Sequence, residues 1–192
     1  MNNYFMFNNL RLNYIDEPYV NTERRFEIPL LKFFLEVFQY HTNVIEIGAV
    51  SPYCNNFPMR HDICDPTDPA SNIKDFAENL DYNGMNVISI STIEHIGRGD
   101  YMLEIHPYRC ITVLNKILES DNYLVTFPIG YNLLLDNYCK FIIPKNITYT
   151  AHRINDDNDW MVDDVLNFDY QYDFLNNRGN AVCVINNLNE LK

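Results

Sequence analysis

The sequence predicts an α/β domain built around a parallel sheet. Three apolar runs between Asn43 and Gly97, NVIEIGAV, HDICDP and NVISISTIEHIG, each end in Gly, Asp or Ser-Thr. Short apolar runs that end in turn residues are typical of strands buried on both faces of a parallel sheet. Ligands of such sheets bind at the carboxyl ends of the strands. We therefore expect the functional site at the ends of these three runs.

The composition indicates one globular domain over residues 1–192. Apolar residues make up 47% of the chain and charged residues 21%, as in proteins with a packed core, and the length is short for two complete α/β domains. The net charge of −12, with no Lys/Arg cluster, argues against a nucleic-acid partner. Five cysteines without a CxxC pair predict a reducing compartment. With neither a signal peptide nor an apolar span, we expect a cytoplasmic protein without a membrane span.

The other elements follow from hydrophobic periodicity and turn residues. Residues 1–20 mix aromatic residues with Asn and predict an irregular N-terminal arm. Thr22 is the N-cap candidate of an amphipathic helix, in which Pro29 should mark a break or the first turn. The predicted strands are 44–47, 62–64, 73–76, 87–91, 123–127, 141–143, 147–149 and 181–185, and a second helix is predicted over 101–118.

Acidic residues follow the first two strands at the spacing of nucleotide-binding folds. Glu46 and Gly48 end the first strand, where glycine lets the backbone approach a ligand and a carboxylate attracts hydroxyl donors. Asp65 lies 19 residues after Glu46, close to the position of a ribose-binding acid. Asp62 and Asp68 compete for this role, and all three acids could instead cap turns.

Two further stretches carry polar groups at strand ends. Asp75 could accept an adenine amino hydrogen while Phe76 covers the ring, although the start of a surface helix would have the same sequence. After the fourth strand, STIEHIG presents small hydroxyl residues, then an acid and an imidazole. His95 is the first candidate for a general base, with Glu94 orienting it, and the alternative is a histidine packed at the start of a helix.

The strand-end sequences described above, taken in their order along the chain, resemble those of the class I methyltransferases that use S-adenosylmethionine. VIEIGAV, HDICDPTDP, IKDF, NVISISTIEHIG, YLVTFPIGYN and NAVCVI carry the resemblance over roughly residues 20–188, and TERRFEIPL, STIEHIG and TFPIGYN are similar to small methyltransferases of glycan biosynthesis. The resemblance implies a Rossmann-like, seven-stranded mixed sheet flanked by helices, with the last strand antiparallel beside the fifth. It also implies S-adenosyl-L-methionine as cofactor, bound by Glu46, Gly48, Asp65, Asp75, Phe76, Ser91 and Thr92.

The expected reaction is O-methylation of a sugar or glycan hydroxyl, with His95 removing the proton. Tyr131 and Asn132, at the end of the fifth strand, are expected to contact the acceptor. His152 and Arg153, in the string TAHRINDDNDW, are further acceptor-binding candidates, and this string could also be an exposed polar loop.

Two other functions remain open at this point. Gly48 stands alone where the methyltransferases carry a glycine-rich turn, so the chain could be a degenerate methyltransferase fold that serves as a binding or scaffold protein. It could also methylate a protein or another small molecule. Asp156, Asp157 and Asp159 match no recognised cation-binding loop, so we expect no metal.

Overall fold

A computed structural model describes residues 3–15, 21–55, 57, 60–144, 147–163 and 165–188. The helices of these residues are α1 (Arg24–Val37), α2 (Arg109–Leu118) and α3 (Leu133–Phe141). The strands are β1 (Tyr4–Phe7), β2 (Leu10–Asn13), β3 (Val44–Ile47), β4 (Asp62–Cys64), β5 (Asn86–Ile90), β6 (Asn122–Pro128), β7 (Thr148–Arg153), β8 (Trp160–Asp163) and β9 (Ala181–Asn186). No helix in this part of the chain is long and apolar enough to cross a membrane.

Seven strands form one mixed sheet in the order β4-β3-β5-β6-β9-β7-β8. The first four pair in parallel, β9 runs antiparallel between β6 and β7, and β8 pairs antiparallel with β7. The predicted α/β class and the seven-stranded mixed sheet flanked by helices are confirmed. Since β4 and β5 lie on opposite sides of β3, the strand order reverses at β3, and a ligand crevice is expected above this point.

Alternating side chains of the strands supply two hydrophobic cores, one on each face of the sheet. Val125 and Phe127 of β6 pack with α2 and α3. Leu124 of the same strand packs with α1 and the β1–β2 hairpin. Because side chains along a strand alternate between its faces, a strand covered on both sides is apolar at nearly every position, as the sequence of β6 is.

The first helix differs from its prediction at both of the positions that were singled out. It begins at Arg24 rather than Thr22, and the Thr22 hydroxyl accepts a hydrogen bond of 3.3 Å from the Arg24 amide. Pro29 neither breaks α1 nor lies in its first turn, since the helix continues to Val37. Burial of the helix face around Leu30 compensates for the backbone hydrogen bond that Pro29 cannot donate.

Several predicted elements need correction. The described part of the N-terminal arm is a β-hairpin rather than irregular, while Pro18 lies outside the described residues. Segment 141–143 is not a strand: Phe141 is the last residue of α3, the helix that the Asn132 side chain caps by accepting a hydrogen bond from the Leu135 amide, and Ile142 is the C-cap of that helix. Segment 73–76 pairs with β4 through one bridge at Ile73. The predicted TAHRINDDNDW loop is largely the β7–β8 hairpin.

Phe26 joins the N-terminal hairpin to the rest of the fold. It is fully buried, with its ring centroid 4.6 Å from that of Phe5 and 5.5 Å from that of Trp160. We expect Phe26→Ala to lower the free energy of unfolding by about 3–5 kcal/mol, because removal of the Phe26 ring leaves a large cavity between the rings of Phe5 and Trp160. Urea unfolding measures this change. Tyr40→Ala, at a position 86% exposed, is the control and should change stability by less than about 0.5 kcal/mol; equal losses would contradict the expectation.

Candidate functional site

Two adjoining cavities lie at the carboxyl ends of the parallel strands, and they share His95 and Tyr101. With their open mouths, and the solvent-filled space there included, they contain about 610 and 660 Å³ of atom-free space. The first, which we call the apolar cleft, is lined by Ile47, Gly48, Cys64, Asp65, Pro66, Thr67, Phe76, Ala77, Glu78, Thr92, His95, Ile96, Gly97, Tyr101, Leu103, Glu104 and Arg109. The second, the acidic chamber, is lined by Thr22, Glu23, Arg24, Ser91, Glu94, His95, Tyr101, Pro128, Tyr131, Tyr172 and Asn177.

Glu46 folds the turn after β3 and does not line either cavity. Its carboxylate is fully buried and accepts hydrogen bonds from the amides of Val50 (2.8 Å) and Ser51 (2.9 Å). Its other oxygen accepts from the Ser51 hydroxyl and lies 2.9 Å from Nε2 of His61. The carboxylate predicted to contact a ligand is therefore occupied by its own loop, and its contribution to the site is the shape of that loop.

Gly48 brings the ends of three strands into contact. Its φ is +82°, a conformation that favours glycine, and its amide donates a 2.9 Å hydrogen bond to the carbonyl of Cys64. A Cβ at this position would overlap the Thr92 side chain, which follows β5. A glycine is thus required here by the close approach of the β3 and β5 loops, and this residue lines the apolar cleft.

Asp65 both caps a turn and faces the apolar cleft. Its Oδ1 accepts hydrogen bonds of 2.8 Å from the amides of Thr67 and Asp68, while Oδ2 accepts none from the residues that the structure describes. Asp62 and Asp68 do not line the cleft; Asp62 accepts from Asn72 at 2.7 Å, and Asp68 accepts from the Tyr53 hydroxyl at 2.9 Å. Of the three competing acids, Asp65 alone presents an oxygen to the cleft.

The Asp75–Phe76 pair contributes its aromatic member to the cleft. Asp75 does not line the cleft, and its Oδ1 accepts 2.7 Å hydrogen bonds from Asn79 and from the Phe76 amide, which together lower its pKa. The Phe76 ring is 37% exposed and lies 5.5 Å from the Arg109 guanidinium. A flat ligand could therefore lie on Phe76, whereas Asp75, predicted to accept an adenine amino hydrogen, is outside the cleft.

Ser91 and Thr92 are neighbours in sequence but face different cavities. Ser91 lines the acidic chamber, has a φ of +38°, and donates a 2.7 Å hydrogen bond from its hydroxyl to Glu27. Thr92 lines the apolar cleft and donates to the carbonyl of Ile90 at 3.0 Å. Ser91 has left-handed φ, and these two neighbours at the end of β5 line different cavities.

His95 stands between the cavities and is oriented by two oxygen atoms. Its Nδ1 lies 2.7 Å from Oδ2 of Asp100 and 3.1 Å from the Tyr131 hydroxyl, which itself donates to Asp100 at 3.2 Å. Burial lowers the pKa of His95 below its usual value, more than the nearby Asp100 raises it. The imidazole is therefore neutral near pH 7. With Nδ1–H donated to Asp100, the lone pair is on Nε2.

Glu94 is a buried carboxyl on the wall of the acidic chamber. It is 1% exposed, and its Oε2 has no hydrogen-bond partner within the described ranges. Its Oε1 lies 3.6 Å from Nε2 of His95. Burial, reinforced by the nearby Glu27 carboxyl, raises the pKa of Glu94 well above its usual value. Burial therefore favours the neutral form of the side chain, which can both donate and accept a hydrogen bond.

Glu27 of α1 lies behind this wall and joins the helix to the sheet. It is fully buried and accepts hydrogen bonds from the hydroxyls of Ser91 (2.7 Å) and Thr126 (2.6 Å). Its second oxygen lies 3.6 Å from the Arg24 guanidinium, which also donates to the Ile90 carbonyl at 3.1 Å. Burial raises the pKa of Glu27 despite the neighbouring cation.

Aromatic rings form the opposite side of the acidic chamber. The Tyr131 ring centroid lies 5.0 Å from that of Tyr172 and 5.8 Å from that of Phe174, with the last two rings 4.9 Å apart. The Arg98 guanidinium lies 4.5 Å from the Tyr131 ring. Burial raises the pKa of Tyr131 to about 12 and also raises that of Tyr172, so both phenols remain protonated donors at neutral pH.

The other predicted acceptor residues lie outside both cavities. Asn132 caps α3 and donates a 2.9 Å hydrogen bond to the carbonyl of Glu94, so it positions the Glu94–His95 turn. His152 and Arg153 belong to β7, which is separated from β6 by β9. His152 stacks on Tyr170 at 5.7 Å, and Arg153 donates to the carbonyl of Gly179 at 3.1 Å.

Sequence reasoning missed four residues of the site: Asp100, Glu27, Glu23 and Tyr172. An acid within the apolar stripe of α1 was a usable signal for Glu27, because a charged residue on a buried helix face needs a partner. Asp100 and Tyr172 carried no such signal, since turn residues contact His95 or Tyr131 only through tertiary folding.

The described residues of this site do not form a set of ligands for a metal ion. The described residues contain no group of three or more His, Cys, Asp or Glu side chains placed to hold a metal ion. Asp159, one of the three acids considered above, lies 3.5 Å from the Arg25 guanidinium.

Comparison of the chain with models of protein families, with curated proteins and with solved structures found no match.

Proposed function

We propose that this protein is an S-adenosylmethionine-dependent methyltransferase that methylates a hydroxyl group of a sugar or glycan. The observation that carries this proposal is the pair of adjoining cavities that share His95. One cavity offers an acid, an aromatic ring and glycine backbone to an adenosine-containing donor. The other offers polar groups to an acceptor, with a neutral imidazole at the junction.

The strand order supports a Rossmann-like assignment of this sheet. Parallel strands β4-β3-β5-β6 are followed by an antiparallel β9 that is inserted between β6 and β7. This is the arrangement that the resemblance to class I methyltransferases implies, with the last strand beside the fifth strand of the fold. The apolar cleft lies where such a sheet binds its ligands, above the reversal of strand order at β3, and the acidic chamber adjoins it at the ends of β5 and β6.

The residues of the apolar cleft fit S-adenosylmethionine in three respects. Oδ2 of Asp65 is available to accept from a ribose diol, the Phe76 ring can cover the adenine, and Gly48 with Thr92 would border the methionine part. When bound, the cofactor supplies a methyl group on a positively charged sulfur. Asp75 and Glu46, also predicted to bind it, would act by shaping the loops around the cleft.

The residues at the junction fit the removal of a hydroxyl proton. Nε2 of His95 is the proton acceptor, and Asp100 stabilises the imidazolium that results. The Tyr131 hydroxyl holds the ring in place from a second direction. Nucleic acid is an unsuitable acceptor, because the chain carries a net charge of −12 and the chamber wall contains two glutamates.

Cofactor binding tests the donor half of this proposal. We expect calorimetry to show heat with S-adenosylhomocysteine and expect Asp65→Ala to weaken binding by about 10- to 100-fold, because it removes hydrogen bonds to a carboxylate. Asp121→Ala, at an exposed acid away from the cleft, should bind like the unmodified protein. Absence of heat with the unmodified protein would instead favour the scaffold function.

Replacement of His95 tests the base. We expect His95→Ala to reduce kcat by about 10²- to 10⁴-fold, because proton transfer loses its acceptor, while affinity for S-adenosylhomocysteine changes less than about threefold. Steady-state kinetics on an acceptor found by screening saccharides would measure this. His41→Ala, at an exposed histidine, is the matched control. A kcat equal to that of the control would remove His95 from this role.

The pH dependence follows from the environment of His95. Because burial lowers its pKa, kcat/KM should be constant near pH 7 and fall only below the usual histidine value of about 6.5. Asp100 raises the pKa of His95, so Asp100→Asn should move this acidic limb to still lower pH while reducing the plateau. A pH profile of kcat/KM for both proteins measures the shift. Movement of the limb to higher pH would contradict the assignment.

A further inference from the structure

The acidic chamber contains a buried polar group that the protein itself does not satisfy. Glu94 lines the chamber and is 1% exposed, yet its Oε2 has no hydrogen-bond partner in the described part of the chain. Leaving a buried carboxyl oxygen unpaired is energetically unfavourable. A ligand that donates a hydrogen bond to Glu94 would recover this cost, so the chamber is built to receive a donor.

Glu94 and His95 place two acceptors side by side. Oε1 of Glu94 lies 3.6 Å from Nε2 of His95. Of two hydroxyls on adjacent carbons, one can donate to Nε2 of His95 and the other to the Glu94 carboxyl, whose Oε2 is the unpaired oxygen, with ordinary O–H hydrogen bonds of about 2.7–2.8 Å to an oxygen acceptor. A single hydroxyl would satisfy one of them and leave the other. The spacing therefore favours a vicinal diol.

The wall of the chamber disfavours ionised acceptors. Glu94 is 1% exposed and burial favours its neutral form, so it does not supply the negative charge that an ammonium ion would need on leaving water. A phosphate or carboxylate would need a free cation. Arg24 is the one cation among the described lining residues, and its guanidinium already contacts Glu27 and the Ile90 carbonyl.

The aromatic side of the chamber suits the apolar face of a sugar ring. Tyr131 and Tyr172 line it with rings at 5.0 Å and 80° to one another, and Phe174, 61% exposed, continues the aromatic surface from them. Their phenols remain protonated and can donate to further hydroxyls. Apolar faces and hydroxyl partners in one cavity match a saccharide better than a flat aromatic acceptor.

We propose that the acidic chamber binds an uncharged saccharide through a vicinal diol, with one hydroxyl on Nε2 of His95, its neighbour on the Glu94 carboxyl, and the sugar ring against Tyr131 and Tyr172. This inference rests on the proposed methyltransferase function and specifies its acceptor. Glu94 is then a specificity-determining residue, and the hydroxyl on His95 is the one that becomes methylated.

The test is binding rather than turnover, measured by saturation-transfer NMR on protein saturated with S-adenosylhomocysteine. The neutral probes are methyl α-D-mannopyranoside, methyl α-D-galactopyranoside and methyl α-D-glucopyranoside. The charged probes are glucuronate, glucose 6-phosphate and glucosamine. At least one neutral pyranoside should bind, and each charged probe should bind at least tenfold more weakly than it. Failure of all three neutral probes, or tighter binding of a charged one, would overturn the proposal.

Variants connect this binding to Glu94. Glu94→Leu should weaken the neutral pyranoside at least tenfold, equivalent to about 1.4 kcal/mol, without lowering Tm, because it removes an unpaired buried carboxyl. Glu119→Gln, at an exposed glutamate outside the chamber, is the control. Tyr172→Leu should also weaken the sugar, and it tests the chamber independently if Glu94→Leu does not fold. Unchanged sugar affinity in a folded Glu94→Leu protein would refute the assignment.

Failure of this inference can be distinguished from failure of the proposed function. Calorimetry with S-adenosylhomocysteine alone measures the apolar cleft, and pyranoside binding to the protein without it measures the acidic chamber. Cofactor binding without sugar binding would refute the saccharide and leave methyl transfer standing. Sugar binding without cofactor binding would refute methyl transfer and leave a saccharide-binding protein.

Discussion

The buried carboxyl of Glu27 is the interaction on which the site depends. It joins α1 to the ends of β5 and β6 by accepting hydrogen bonds from the hydroxyls of Ser91 and Thr126. The same contact holds Ser91 in its left-handed conformation, from which the chain turns toward Glu94 and His95. A charged group in the apolar face of a helix is costly to bury, and here that cost is offset by two hydroxyl donors and a nearby Arg24.

The two cavities are lined by different sets of residues on either side of this contact. Gly48 and Thr92 close the distance between the β3 and β5 loops on the side of the apolar cleft. Ser91 lines the acidic chamber, where the buried carboxyl of Glu94 lies beside His95 and little water reaches either side chain. A neutral histidine between the cavities, with Asp100 on its far nitrogen, is a consequence of that burial. Beside it, Oε2 of Glu94 is buried without a hydrogen-bond partner among the described residues, an arrangement that lowers stability.

Sequence reasoning located the strands that build the site and several of its residues. Strands 44–47, 62–64 and 123–127 were predicted within a residue or so, because buried parallel strands are short, apolar and closed by turn residues. It failed at α3, where a short apolar run read as a strand is the last turn of a helix capped by Asn132. His152 and Arg153 were placed with the acceptor because the hairpin that carries them reads as a polar loop.

The sequence by itself determined the class of fold, the edge of the sheet at which ligands are expected, and the presence of Gly48, Asp65 and His95 at that edge. These depend on local pattern, since periodicity and turn residues act over a few positions. Only the tertiary structure decided that Glu46 is occupied by its own loop, that Asp65 rather than Asp62 or Asp68 faces the cleft, and which groups surround His95. Those choices depend on contacts between residues distant in sequence and on burial, which no local pattern records.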